Sequence, residues 1–140
     1  MADTFRLEVA TPDRQFVDEQ VTWAEVPGKD GYIGILAGHA ALLSALGAGV
    51  LTYSSGSGQR VLAVAGGFLE ILNNDVRVLA DYAEFGQDVD TSAARHELEE
   101  AENNLKSAHE TADTETALRA VGKARARLEA AERASGRTAA

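Results

Sequence analysis

A chain of 140 residues that is 45% hydrophobic has enough apolar side chain for one or two small cores, which argues against disorder. Its formal net charge of −9 opposes a general nucleic-acid role, because phosphate backbones are gripped by clustered Lys and Arg. With no cysteine it has neither a disulfide framework nor a thiolate metal site.

The start, Met1 to Arg6, has no basic region ahead of a long apolar segment, and no run of apolar residues is long enough to span a bilayer. Neither targeting nor direct membrane insertion is expected. Phe5, Leu7 and Val9 alternate with Arg6, Glu8 and Ala10, the period-two pattern of a strand with one buried face, and Thr11-Pro12-Asp13 stops it. Strands are predicted across Phe16 to Val21 and Val21 to Val26, followed by a turn over Pro27-Gly28-Lys29-Asp30-Gly31. Gly31 to Leu43 then spends glycines on an apolar segment that runs on to Gly47-Ala48-Gly49-Val50-Leu51. That spacing suits a chain that turns, crosses and re-enters sheets.

Val50 to Tyr53 and Gln59 to Val64 flank Ser54-Ser55-Gly56-Ser57-Gly58, a hairpin connection. Phe68 to Leu72 and Val76 to Leu79 surround Asn73-Asn74-Asp75, residues that tolerate a left-handed turn. Many short strands between turns indicate a sandwich or barrel. Near Phe85-Gly86-Gln87-Asp88 the composition shifts from Gly, Val and Leu to Ala, Glu and Arg, and the net charge changes from −8 over residues 1–90 to −1 over residues 91–140. A domain boundary is placed there, giving domains 1–87 and 88–140.

Beyond it the period becomes helical. Ala94, Leu98, Ala101, Leu105 and Ala108 form one apolar stripe, with Asp90 or Thr91 capping its start; Ala117, Val121, Ala124, Leu128 and Ala131 form a second after a break at His109 to Asp113. Two helices joined by a short polar link read as an antiparallel hairpin. Alanine buries little area, each buried methylene being worth about 0.8 kcal/mol, and Gly122 costs roughly 1 kcal/mol inside a helix, so the hairpin is expected to be marginal alone. The first helix carries −3 over residues 91–110 and the second +3 over residues 114–137, so they attract.

No phosphate-loop motif is present, and Gly47-Ala48-Gly49 lacks the third glycine of a dinucleotide fingerprint. His39, His96 and His109 have no metal-ligand spacing, and no nucleophile is recognisable beside His39. The residues therefore point away from catalysis and from a metal centre.

The run Gly31-Tyr32-Ile33-Gly34-Ile35-Leu36-Ala37-Gly38-His39-Ala40-Ala41-Leu42-Leu43, with the second run Val64-Ala65-Gly66-Gly67-Phe68-Leu69-Glu70-Ile71 and Asn73 to Asp81 after it, resembles the bacterial ε subunit family of F-type ATP synthases. With the layout of the tail, the resemblance covers nearly the whole chain. It implies an N-terminal antiparallel β-sandwich followed by a C-terminal antiparallel two-helix hairpin. It also implies a non-catalytic central-stalk subunit that couples c-ring rotation to the γ subunit, peripheral on the cytoplasmic face of the bacterial inner membrane.

Carried over residue by residue, the resemblance puts Thr11, His39 and Ser44 at the γ interface and Lys29, Asp30, Gly31 and Tyr32 in a loop facing the c-ring. It makes the basic helix bearing Arg119, Lys123, Arg125 and Arg127 a candidate inhibitor of ATP hydrolysis through the α/β catalytic head. Some relatives hold ATP between these helices; Glu84, Asp90 and Arg127 match contact positions there. Ala93, however, stands where the family arginine belongs, which removes a fork of donors and weighs against ATP as a regulatory ligand. The rival readings are a free-standing nucleotide-sensing hairpin, which Ala93 opposes, and a small sandwich enzyme, which would need convergent acid and base side chains.

Overall fold

The computed structural model describes residues 3–136; Arg137, counted above in the charge of the second helix, lies outside the described residues. Eight strands precede the helices: β1 (Phe5–Ala10), β2 (Gln15–Val21), β3 (Trp23–Gly28), β4 (Gly31–Leu36), β5 (Leu42–Ala45), β6 (Ala48–Ser55), β7 (Gly58–Leu72) and β8 (Asp75–Phe85). Hydrogen bonding runs in the order β2-β1-β8-β7-β6-β3-β4, with β5 attached to β7. The sandwich implied by the resemblance is present, with one departure from all-antiparallel pairing: β1 lies parallel to β8.

The two layers share β7. Its first half, residues 58–65, pairs with β6, whereas residues 68–71 pair with β5. Side chains from both layers meet in one core that includes Leu7, Val9, Leu51, Leu62, Leu69 and Val78. The sequence pattern suggested two strands, Gln59 to Val64 and Phe68 to Leu72, separated by Gly66-Gly67; the structure has a single strand of 15 residues instead. Gly66 and Gly67 take φ of 71° and 110°, while the register to β8 is kept on either side, Ala65 opposite Tyr82 and Gly67 opposite Ala80. The strand therefore kinks from one layer into the other without slipping. Only glycine permits this at position 67, where a Cβ would come within 2.0 Å of the Leu79 carbonyl oxygen.

Turns are tighter than the sequence suggested. Leu72 pairs with Asp75, so Asn73 and Asn74, at φ 50° and 64°, make the whole β7–β8 turn and Asp75 belongs to β8. Gly28 likewise pairs with Gly31, leaving Lys29-Asp30 as the β3–β4 turn, and Ser55 pairs with Gly58 around Gly56-Ser57.

A single 3-10 turn, Gly86–Asp88, leads into α1 (Thr91–Lys106) and α2 (Thr111–Ala134). Asp90 caps α1, its Oδ1 accepting from the Ala93 amide at 3.1 Å, while Thr111 to Asp113, expected in the break, form the first turn of α2. The predicted stripes face one another: Ala94, Ala101, Ala117, Val121 and Ala124 are buried, and Leu98, Leu105, Ala108, Leu128 and Ala131 are half-buried. A further buried face was not anticipated. Ala126 and Ala130 pack on Val50 and Ala63 of the sandwich, and Gly122 approaches so closely that a Cβ there would lie 3.1 Å from that of Ala48. Spaced four apart, Gly122, Ala126 and Ala130 make a small-residue strip along which the α2 backbone nears the sheet. Gly86 meets the same helix, where a Cβ would fall 2.3 Å from the Ala130 carbonyl oxygen.

Candidate interaction surfaces

The hairpin covers the outer face of β6 and the first half of β7, which leaves the outer face of the other layer bare. Alternation decides what that face carries. Leu69, Ile71, Val76, Val78 and Ala80 turn inward, so Phe68, Leu72 and Leu79 must turn outward, and they are exposed by 60%, 51% and 54%. Register sets Ala10 beside Leu79, Leu79 beside Phe68, and Phe68 beside Ala45. An apolar row thus crosses four strands. The next row is Glu8, Arg77 and Glu70, closed at its end by Leu43, which is 71% exposed. Arg77 pairs with Glu8 at 3.6 Å, and Arg6 grips Asp18 through two bonds of 2.9 and 3.0 Å. A contiguous apolar row beside a charged rim has the make-up of a protein interface.

The three residues assigned by resemblance to the γ interface do not cluster. Thr11 follows β1 at the Ala10 end of the apolar row. His39 lies beyond the opposite end of β1: the Gly38 amide donates to Asn74 Oδ1 at 2.9 Å, and Asn74 Nδ2 donates to the Thr4 carbonyl at 2.9 Å. From Thr4 to Thr11 the extended chain covers about 23 Å. Ser44 is half-buried, its register partner is the inward-facing Leu69, and its Oγ donates to the Ala45 carbonyl at 3.2 Å. Thr11 and His39 therefore flank the bare face along the strands while Ser44 faces inward, and the face itself carries Phe68 and Leu79, with Leu43 on its β5 edge. Sequence reasoning missed those three, although large apolar residues at the outward positions of alternating strands were the available signal.

At the β3–β4 tip, Lys29 and Asp30 project as exposed turn residues. Tyr32 folds back. Its hydroxyl accepts from the Val50 amide at 3.0 Å and closes over Gly49, so the loop assigned to the c-ring offers Lys29, Asp30 and Gly31 at its end.

Between sandwich and hairpin, Arg127 joins three elements. Its Nε donates to Glu84 on β8 and its Nη1 to Glu97 on α1, both at 2.9 Å, and its side chain is only 11% exposed. The Tyr82 hydroxyl donates to the same Glu84 carboxylate, and the Lys123 ammonium stands 4.2 Å above the Tyr82 ring. Burial first, and then the bond to Glu84, push the Tyr82 phenol well above its ordinary range. A phenol that holds its proton more tightly when folded stabilises the fold fully below the unfolded value of about 10, and this stabilisation is lost as pH rises beyond it. Alkaline melts should therefore show a decline in stability starting near pH 10 that is smaller in a Tyr82→Phe variant.

Residues 4–86 match the family described as ATP synthase, Delta/Epsilon chain, beta-sandwich domain. The chain belongs to the ATP synthase delta/epsilon family. An ATP synthase epsilon chain of Solibacter usitatus is 47% identical over 133 residues, covering 95% of this chain and 99% of that protein. One from Synechocystis is 40% identical over 131 residues, 91% and 96% of the two chains. A chain in the Euglena gracilis mitochondrial ATP synthase, OSCP/F1/c-ring assembly, superposes with a TM-score of 0.78 at 24% identity, covering 91% of this chain and 81% of that one, which shows the shared fold.

Within the delta/epsilon framework, the positions matched to nucleotide contacts are already engaged by the protein. Glu84 and Arg127 bond each other, and Asp90 is the cap of α1. A cavity of about 440 Å³ lies beside them, lined by Arg14, Phe16, Tyr82, Lys123 and Arg127 among others. Two of the five N–H groups of Arg127 are engaged by Glu84 and Glu97, so a phosphate there would share the guanidinium with two carboxylates. Of the basic residues on α2, Arg119 and Arg125 are exposed, and Arg125 reaches Glu102 at 4.0 Å.

Proposed function

We propose that the chain is a non-catalytic rotor subunit of a proton-translocating ATP synthase. The sandwich is the adaptor: its bare face docks on γ through Phe68, Leu79 and Leu43 together with Thr11, His39 and Ser44, and its Lys29-Asp30 tip meets the c-ring. The observation that carries this reading is the apolar row left uncovered when the hairpin takes the other face. Torque transfer needs a stiff body with packed contact area, and a two-layer sandwich sharing one kinked strand supplies it. No helix among the described residues is long and apolar enough to cross a membrane, and peripheral attachment at the cytoplasmic face of the bacterial inner membrane would come through the c-ring.

The hairpin is the movable element. If it leaves the sandwich, the basic α2 meets acidic segments of the α/β head and obstructs hydrolysis; no bond chemistry is required of this chain.

The test mixes purified chain with γ and follows complex formation by size-exclusion chromatography. Wild type should co-elute with γ, while Phe68→Asp and Leu79→Asp, folded by circular dichroism, should bind at least about 30-fold more weakly, as expected for central apolar contacts. A chain ending at Gln87 should still bind γ. Undiminished binding by both aspartate variants would remove the bare face from the γ interface, and failure of wild type to bind γ would remove the rotor role.

A further inference from the structure

The chain crosses from β5 in one layer to β6 in the other through only two residues, Leu46 and Gly47. Four backbone bonds tie this crossing down. Toward the β3–β4 tip, the Lys29 amide donates to the Ala45 carbonyl and the Gly47 amide to the Pro27 carbonyl, both at 2.9 Å, and Leu46 is bridged to Gly28. Toward the kink of β7, the Leu46 amide donates to the Gly67 carbonyl at 2.9 Å and the Gly66 amide to the Gly47 carbonyl at 3.3 Å. The Leu46 side chain is buried in the sandwich core.

Ala45 belongs to both proposed surfaces. Its carbonyl holds Lys29 of the tip, and its register partner is Phe68 in the apolar row. Tip and row are therefore joined through main chain alone, with no side-chain rotamer between them. Such a path is stiff, because each link is a directional bond between planar peptide groups. Gly47 is fitted to it. The residue does not take a positive φ, so its conformation does not demand glycine. What excludes a side chain is the tip itself: a Cβ would stand 2.9 Å from the Gly28 carbonyl oxygen and 3.5 Å from Lys29 Cα, both backbone atoms.

We propose that Ala45-Leu46-Gly47 is a brace passing load between the c-ring-facing tip and the γ-facing row, with Gly47 the positioning residue that lets the tip seat against it. The inference rests on the rotor reading for its two partners. Torque entering at Lys29-Asp30 reaches Phe68 by way of Ala45 and Gly67. A two-residue turn at the end of a hairpin bends easily, and the two bonds to the crossing hold it against that bending.

Gly47→Ala wedges the tip from its brace; Gly34→Ala, on β4 with open space where its Cβ would stand, is the control. In the free full-length chain, exchange of the Lys29 and Gly47 amides should accelerate about tenfold in Gly47→Ala, as expected for loss of a backbone bond, and keep the wild-type rate in Gly34→Ala. Lys29→Pro deletes the donor to Ala45 without adding bulk at the crossing, whereas Lys29→Gln removes only the charge. Each chain is then assembled with γ and the catalytic head on membrane vesicles stripped of their own head, and ATP-driven proton pumping is compared with ATP hydrolysis. Gly47→Ala and Lys29→Pro should bind γ as wild type does and yet pump fewer protons per ATP hydrolysed; Gly34→Ala should pump as wild type, and Lys29→Gln should exceed Lys29→Pro. General loss of the fold would lower γ binding as well, which tells it apart. Wild-type pumping by Gly47→Ala and Lys29→Pro, or unchanged exchange at Lys29 in Gly47→Ala, overturns the proposal. Failure of the wild type to bind γ removes the rotor reading and the load transfer with it, while the exchange comparison still decides whether the brace holds the tip.

Discussion

Substituting Gly67 by valine will lower the stability of the sandwich by about 3 kcal/mol or more, read as a fall in the melting temperature of about 10 °C. Two effects act together. The residue holds φ at 110°, which for a β-branched side chain costs roughly 1–3 kcal/mol. The new Cβ must also clear the Leu79 carbonyl oxygen and Ala80 Cα, which would stand at 2.0 and 2.9 Å. Both are backbone atoms in the paired strand, so relief requires opening the β7–β8 ladder where the two layers join, adding roughly 1–3 kcal/mol of overpacking strain. Gly56, in the β6–β7 turn with open space where a Cβ would stand, is the control: alanine there should change stability by less than about 0.5 kcal/mol. Equal melting temperatures for Gly67→Val and Gly56→Ala would show that the kink is dispensable.

The same pair of glycines explains where the sequence was readable and where it was not. Alternation of Phe5, Leu7 and Val9, the left-handed turn at Asn73-Asn74 and the helical stripes are local signals, each written within a few residues, and each appears in the fold. Gly66-Gly67 carries a local signal too, but a misleading one: it reads as a break, whereas the neighbouring β8 holds the strand continuous across it. The parallel β1–β8 pair joins residues about seventy positions apart, a choice that no local pattern encodes. On α2 the second buried face consists of Gly122, Ala126 and Ala130, whose small side chains lower the hydrophobic signal although they allow the closest approach.

The candidate surfaces divide in the same way. Lys29 and Asp30 were legible as an exposed tip because turn chemistry is local, and Asp90 as a cap for the same reason. The meeting of Arg127 with Glu84 and Glu97 depends on how the hairpin is laid against the sandwich, and only the assembled fold brings them together. The apolar row is intermediate: each member lies in a readable strand, yet that Leu79 stands between Ala10 and Phe68 is a matter of register.

Arg127→Ala should release the hairpin while the sandwich stays folded. Docking of α2 rests on few apolar groups, chiefly the methyls of Ala126 and Ala130 against Val50 and Ala63, each worth about 0.8 kcal/mol. Against that small sum, an arginine bonded at 2.9 Å to two carboxylates on separate elements is a large term. Its removal leaves Glu84, 24% exposed, bonded to the Tyr82 hydroxyl but without its cation. Discounted for partial solvent access, the loss is about 2 kcal/mol, which moves the docked-to-undocked ratio roughly 30-fold. Freed helices of this length are marginal in water, so amide exchange across residues 91–134 should accelerate by a similar factor, while Leu7, Leu62 and Val78 remain protected. Gly86→Val offers an independent route to the same state, because its side chain would push on the Ala130 carbonyl and spare the charge network. Agreement between the two variants would tie hairpin release to loss of contact with the sandwich. Protection of α2 unchanged in both would mean that the helix pair holds itself together without Arg127 and without its seat on the sheet.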